Sequence, residues 1–501
     1  VTVAGFGWID GMILAAYFVV SLGIGLWAGR RESSTSEFFL GGRRQHWLLA
    51  GISIIATEVS AMTLIGVPAQ AFKGDWHYLQ MYAGAFLGRV IIAFLLLPAF
   101  YGGSVTTVYE YLGQRFGPGT RTTTSLLFFA SRTIGSGLRL LLASLAISEV
   151  FGWSLEWVIV GSTAVAIGYT TFGGIKAILW TDVFQASIFL GASLVAIAYL
   201  FHVAPGSWID TLSAAQEAGK FRTLIWDSNP NNEECLWVLV ISSTISNMAA
   251  FGTDQDMTQR MLTCKNLRDG QRSLLFNAVV GFPIVCSFLL IGSLLWVYYS
   301  ALGANTSGRE LPEQVDRIFP FFIATALPAN VGLKGLLVTA IFAASMSSFA
   351  SALGALSSSA VTDLYRPWCP MRPDEHYLKV ARISVLGFGI VLVIIAFGFR
   401  GGDSLLWEAL KWPGLMFGAM LGVFLLGVCT RSRGDDRVNV VAMLTSVVGL
   451  VLLKLVQERW GHTVYIAWPW WVVIGTAWTL GLGACFRTKQ ASAAAKSGRE
   501  G

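Results

Sequence analysis

Ile54-Ile55-Ala56-Thr57-Glu58-Val59-Ser60-Ala61-Met62-Thr63-Leu64-Ile65-Gly66-Val67-Pro68 begins as an apolar helix, meets a carboxylate and three hydroxyls at midpoint, and ends on Gly and Pro. A carboxylate in the middle of an apolar span is costly and marks a site by default. Ile241-Ser242-Ser243-Thr244-Ile245-Ser246-Asn247, followed by Phe251-Gly252-Thr253-Asp254-Gln255, has the same character five spans later. Two polar, breakable helices at matching places suggest two repeated halves meeting around a midplane site. The repeat is carried by hydropathy and breaks, not by residue identity.

The surroundings of both stretches read as membrane. The 501 residues are 54% hydrophobic and 13% charged, with a mean hydropathy of +0.62, beyond the range of soluble domains. Roughly thirteen segments have spanning length. They are centred near Ala15, Ala56, Ala93, Gly137, Ala164, Phe189, Ile245, Phe288, Met346, Gly389, Phe417, Val447 and Gly475. Without period-two alternation they favour helices over a barrel. The segment Trp8 to Ala28 is too long for a signal core and leads into Arg30 and Arg31, so it reads as a retained span.

Basic residues set the orientation. Arg43 and Arg44, Arg115 and Arg121, Lys176, Arg260 to Arg272, Arg366 to Lys379, Arg431 to Arg437, and Arg487 with Lys489 all fall after odd-numbered spans. The positive-inside rule then puts the N-terminus outside and the C-terminus in the cytoplasm of a multi-pass plasma (inner) membrane protein. The net charge of +6 is cytoplasmic flank and implies no nucleic acid. Six scattered cysteines form no CxxC or His-paired pattern, and no phosphate-binding loop occurs. The five histidines lie in or near loops, so no nucleophile and base converge and no enzyme is expected. A channel would want a continuous polar pore, whereas these polar residues concentrate at midspan breaks. The Ala-, Ser- and Gly-rich tail 489–501 reads as disordered.

Ala344-Ser345-Met346-Ser347-Ser348-Phe349-Ala350-Ser351 places hydroxyls at 347, 348 and 351 on one side of a helix. They can converge on a cation, because hydroxyls and freed carbonyls replace a hydration shell without a fixed negative charge. They also suit close helix packing.

Thr170-Thr171-Phe172-Gly173-Gly174-Ile175-Lys176-Ala177, with Trp180-Thr181-Asp182-Val183-Phe184-Gln185, resembles the sodium/solute symporter signature. Gly252-Thr253-Asp254-Gln255 with Gln259-Arg260, and the serine run, match other segments of that sodium/glucose cotransporter-like family from Trp8 to about Cys429. Arg43 to Asp75 looks closest to bacterial sialic-acid symporters, and the serine run is also similar to sodium/galactose symporters. The resemblance implies an all-α, LeuT-like core of inverted five-helix repeats at about 47–201 and 236–430. Peripheral helices follow at 8–28, 438–457 and 467–485, within a transporter domain 1–488. It also implies sodium-coupled symport of a small polar organic solute, a sugar, sialic acid or organic acid, in a lipid bilayer by a monomer. A proline-type amino acid symporter and a solute sensor of the same fold are the alternatives.

Site residues follow from the same resemblance. The main sodium site would use the carbonyls of Ala56, Val59 and Ala344 and the hydroxyls of Ser347 and Ser348. A second sodium would use Asp182, Ser347, Ala350 and Ser351, but Ala350 stands where sialic-acid symporters carry Ser. Asp182 has an equal reading as a hydrogen-bonding or inner-gate residue. For the solute, Ser60, Thr63 and Tyr78 match pocket positions, with Thr253 and Asp254 on the other broken helix. Glu58 replaces a Thr, Tyr82 a Gln, and Gly135 the Arg that clamps a carboxylate. Arg132 and Arg139 flank Gly135 by one turn each, and either could supply the clamp or pair with Glu58. In the eleventh span, Glu408 and Lys411 (i, i+3) read as an interfacial ion pair beside Trp412 or, alternatively, as part of an outer gate hinge, and Pro413 is expected to kink or break the helix there.

Overall fold

A computed structural model describes residues 6–28, 34–302, 311–399, 405–460 and 465–487. Arg30, Arg31 and the tail from Lys489 lie outside the described residues, as does the Glu408 side chain. Among the described residues nine helices are long and apolar enough to cross a membrane, and two bent pairs raise this to eleven spans. The shorter helices Leu155–Gly168 and Pro469–Ala484 occupy the two remaining segments of the sequence reading.

The bent pairs are the two stretches that the polar interruptions mark. Trp47–Glu58 and Ala61–Lys73, the second span, meet at 57°, and Leu236–Gly252 and Gln255–Leu262, the seventh, meet at 62°. The second span breaks at Val59 and Ser60, where Ser60 is extended (φ −89°, ψ 174°). Pro68 is not the breaker; it lies inside Ala61–Lys73. In the seventh, Asp254 (φ −81°, ψ 123°) leaves the helix and caps the next one, its carboxylate accepting from the Asp256 N–H at 2.9 Å.

Leu155–Val203 contains the fifth and sixth spans, joined at Gly174 (φ 47°, ψ −162°). That conformation is essentially closed to residues with a Cβ, so the Gly173-Gly174 pair makes a junction without a loop. A second glycine is required where the third span, Leu79–Gly102, crosses the seventh: a Cβ on Gly84 would collide with the Ser243 hydroxyl and the Val240 carbonyl. Small residues are the usual means of bringing membrane helices this close.

Burial sorts the spans. The ninth, Leu333–Trp368, has 94% of its apolar window buried, against 22% for the first, Trp8–Ala28, and 28% for the tenth, Asp374–Gly398, and the twelfth, Asp436–Arg459. The serine-bearing helix is therefore the bundle's axis. It packs against the first span, both halves of the second, the fourth (Pro118–Phe151), Leu155–Val203 and the tenth.

On the side with the acidic loops, Lys220 is drawn inward. Its Nζ donates to the carbonyls of Phe72 (2.7 Å) and Gly74 (3.0 Å) and lies 4.9 Å from the centre of the Trp296 ring. Burial lowers the Lys220 ammonium pKa from its usual range, and Asp75 opposes the shift. Beside it, Trp76 donates from Nε1 to the Ser293 hydroxyl at 2.9 Å.

Candidate functional site

The break in the second span frees two particular carbonyls. In a continuous helix the Ser60 N–H would serve Ala56, and the Thr63 N–H would serve Val59. Here Ser60 donates to the Glu58 carbonyl at 3.0 Å and Thr63 to the Ser60 carbonyl at 2.9 Å. Ala56 and Val59 thus lose the donors a regular helix would supply. The serine run of the ninth span comes up against the same turn. Ser348 Oγ donates to the Thr57 carbonyl at 3.4 Å, and Ser351 Oγ lies 3.1 Å from Thr57 Oγ1. Ser347 and Ser348 are buried and Ala344 is one turn before them on the same helix.

A charged network continues inward from the serines. Ser347 Oγ donates to Asp182 Oδ1 at 2.6 Å, while Asp182 Oδ2 accepts from the Ser53 hydroxyl and from Arg260 Nη2 at 3.1 Å. Arg260 Nη1 reaches Asp256 Oδ1 at 2.7 Å, and Asp256 also accepts from Arg132, which lies 3.4 Å from Asp254. All of these side chains are buried. Asp182 is thus hydrogen-bonded to Ser347 and Ser53 and ion-paired with Arg260.

Above the serines lies a cavity of about 240 Å³. Glu58, Val59, Thr63, Tyr78, Tyr82, Arg132, Arg139 and Asp254 line it, together with Arg89 and Asn247. Ser60 and Thr253 do not. Ser60 is buried at the start of the second half-helix, and the Thr253 hydroxyl is spent on the Ala249 carbonyl at 2.8 Å. Thr253 closes its helix and Ser60 opens one, so both side chains turn into packing.

Glu58 is paired, but not with Arg132 or Arg139. Arg89 donates to Glu58 Oε1 and, at 2.9 Å, to the Tyr82 hydroxyl, and Asn277 Nδ2 reaches Glu58 Oε2 at 2.8 Å. The Arg89 guanidinium also lies 4.4 Å from the centre of the Phe251 ring. A lone Arg inside the third span was the signal for it, since an intramembrane charge needs a partner. Arg132 is occupied by Asp254 and Asp256. Arg139 differs: it forms no ion pair among the described residues, and its buried Nε has no hydrogen-bond partner there. Of the two flanking arginines, only Arg139 brings an uncommitted guanidinium to the cavity wall.

Toward the acidic loops, Lys411 and Trp468 line this cavity and also a second one of about 420 Å³, with Gln70, Asp75, His77 and Glu234. At the other, Arg-rich end, Asp363 is held by Arg121 Nε (2.9 Å) and by the Thr107 and Ser359 hydroxyls (2.7 Å each). These contacts tie the third-to-fourth span connection to the ninth span beneath the serines.

The model of the sodium:solute symporter family matches residues 38–448. The chain belongs to that family. It is 30% identical over 461 residues to the sodium/sialic acid symporter SiaT of Proteus mirabilis, covering 90% of each chain. With the human sodium-coupled monocarboxylate transporter 2 it shares 26% identity over 423 residues, 84% of this chain and 68% of the relative. A solved sialic acid symporter, substrate-bound and outward-open, superposes with a TM-score of 0.83 at 28% identity, covering 96% of this chain and 98% of that one. The symporter is thus a multi-pass, LeuT-like membrane protein that couples a small solute to sodium, and it is not an enzyme.

Proposed function

We propose that this symporter carries a carboxylate-bearing organic solute, held by Arg139, together with sodium held by the carbonyls of Ala56, Val59 and Ala344 and the hydroxyls of Ser347 and Ser348. The single observation that carries the solute class is the uncommitted Arg139 guanidinium in a cavity whose other arginines are ion-paired. A buried guanidinium is costly until an anion meets it, and a carboxylate meets it with two parallel hydrogen bonds. Two relatives carry sialic acid and monocarboxylates in their names, and both are carboxylates. The proline-type alternative needs an acid for the substrate's ammonium, and Glu58 is committed to Arg89 and Asn277.

The break in the second span serves both ligands. Its first half ends in free carbonyls, the negative end of a helix dipole, and its second half begins with N–H groups, the positive end. Sodium sits against the first, and Met62 and Thr63 of the second line the solute cavity. Sodium entering from outside fixes the second span against the ninth and so orders the cavity for the solute. The two inverted repeats, 47–201 and 236–430, then rock about this site in a monomer and release both ligands inward. Each ligand must raise the other's affinity by the same factor.

Thermal stability of the purified protein tests this, screened in sodium and in potassium against N-acetylneuraminate, pyruvate, galactose and proline. Carboxylates should stabilise it in sodium only, and Arg139→Gln should abolish that shift while leaving the sodium shift intact. Stabilisation by galactose in both proteins would remove the carboxylate reading.

A further inference from the structure

Glu58 stands on the wall of the solute cavity with its charge already answered. Arg89 donates to its Oε1, and Asn277 Nδ2 donates to its Oε2 at 2.8 Å. Both partners lie behind it. The Arg89 side chain is 1% exposed and Asn277 is fully buried, whereas 25% of the Glu58 side chain is open, and this residue lines the cavity. An ionised carboxylate offers about four lone-pair sites and no donor. Two of them are taken among the described residues, so each oxygen keeps a site for a further donor.

Tyr82 supplies the complement. Its hydroxyl accepts from Arg89 Nη1 at 2.9 Å, passes its own proton to no acceptor among the described residues, and belongs to a side chain that also lines the cavity. It lies over Gly281, where a Cβ would collide with the hydroxyl. One guanidinium thus fixes an acceptor and a donor side by side.

What a solute must bring to this corner follows from charge. Arg89 cancels Glu58, so an ammonium would add a cation to a neutral pair in a water-poor site. A methylene chain would cover the open carboxylate face and give no donor in return, and a charged acceptor cut off from hydrogen bonds is costly. A hydroxyl avoids both penalties. It is donor and acceptor at once, so neighbouring hydroxyls can donate to Glu58 and accept from Tyr82.

We propose that Glu58 and Tyr82, held by Arg89, read hydroxyl groups of the solute, and that the carried compound is a polyhydroxylated carboxylate of the sugar-acid class, not a simple alkanoate. The carboxylate half of this rests on the Arg139 reading above; the hydroxyl half rests on Glu58 and Tyr82 alone.

The rise in melting temperature of the purified full-length chain in sodium, titrated with D-gluconate, hexanoate and D-glucitol, tests both halves. Gluconate should half-saturate at a concentration at least about tenfold below hexanoate. Tyr82→Phe should weaken gluconate about tenfold and leave hexanoate unmoved, a split that a loosened fold would not give. Glu58→Leu combined with Arg89→Met replaces the ion pair by apolar groups and should reverse the order, hexanoate binding more tightly than gluconate. Equal binding of gluconate and hexanoate by the wild type, or of neither, overturns the hydroxyl reading, as does an equal loss of both in Tyr82→Phe. Should the double variant not fold, the wild-type order and Tyr82→Phe decide. Glucitol binding as tightly as gluconate, in the wild type and in Arg139→Gln alike, would instead sink the carboxylate reading and leave the hydroxyl contacts standing.

Discussion

Ser348 and Ser347 have different surroundings, and the difference makes Ser348 the sharper probe of sodium. Ser347 also donates to Asp182, so its removal disturbs a second contact, whereas the Ser348 hydroxyl has the Thr57 carbonyl as its one hydrogen-bond partner among the described residues. Ser348→Ala should raise the sodium concentration for half-maximal uptake about tenfold, or about 1.4 kcal/mol. Sodium-dependent uptake measures this, and an unchanged requirement would take the main site away from this helix. Arg139→Gln, argued above, is its counterpart on the solute side. At this scale the serine run was legible as hydroxyls sharing one side of a buried helix. Partners were not legible. Glu58 has its guanidinium on the third span, and nothing local distinguishes Arg89 from Arg132 or Arg139 as its mate. The family resemblance places Ser60 and Thr253 among the pocket residues, yet Ser60 is buried at a helix start and the Thr253 hydroxyl is held by the Ala249 carbonyl.

Helices were legible to the extent that their interruptions carry polar residues. The breaks at Ser60 and Asp254 fall inside the two stretches that combine acids, amides and hydroxyls with an apolar frame, because freed backbone groups at membrane depth must line a site or be buried in protein. The junction of the fifth and sixth spans is subtler. The signature pair Gly173-Gly174 was visible as a motif, but only the backbone shows why it is glycine: φ at Gly174 is 47° with ψ at −162°. Gly174→Ala should cost about 1–3 kcal/mol and lower the detergent-solubilised protein's melting temperature. Tryptophan fluorescence on heating measures it, and an unshifted transition would mean that the junction relaxes without strain.

For the whole molecule, the Arg121–Asp363 contacts hold one end together, while two adjoining cavities lie toward the acidic loops. A transported unit charge gains about 2.3 kcal/mol per 100 mV of membrane potential. Steady-state accumulation in proteoliposomes at a fixed sodium gradient, measured with and without a potassium diffusion potential set by valinomycin, therefore reads how many sodium ions enter in excess of the solute's negative charge: a one-to-one cycle leaves it unchanged, and each further sodium raises it when the inside is negative.

The Lys220 clamp has a consequence for how the chain is made. Its anchors are the carbonyls of Phe72 and Gly74, at the end of the second span, and the face of Trp296 in the eighth, Leu267–Leu302. Trp76 and Ser293 bridge the same two spans. During synthesis, the loop bearing Lys220 is exported well before Trp296 exists, so the clamp completes only after the eighth span has inserted. It acts as a latch that records the meeting of the two halves. A chain ending at Leu262 should leave Lys220 open to amine-reactive reagents, and the full chain should shield it; equal labelling of both would mean that the first half closes this latch unaided.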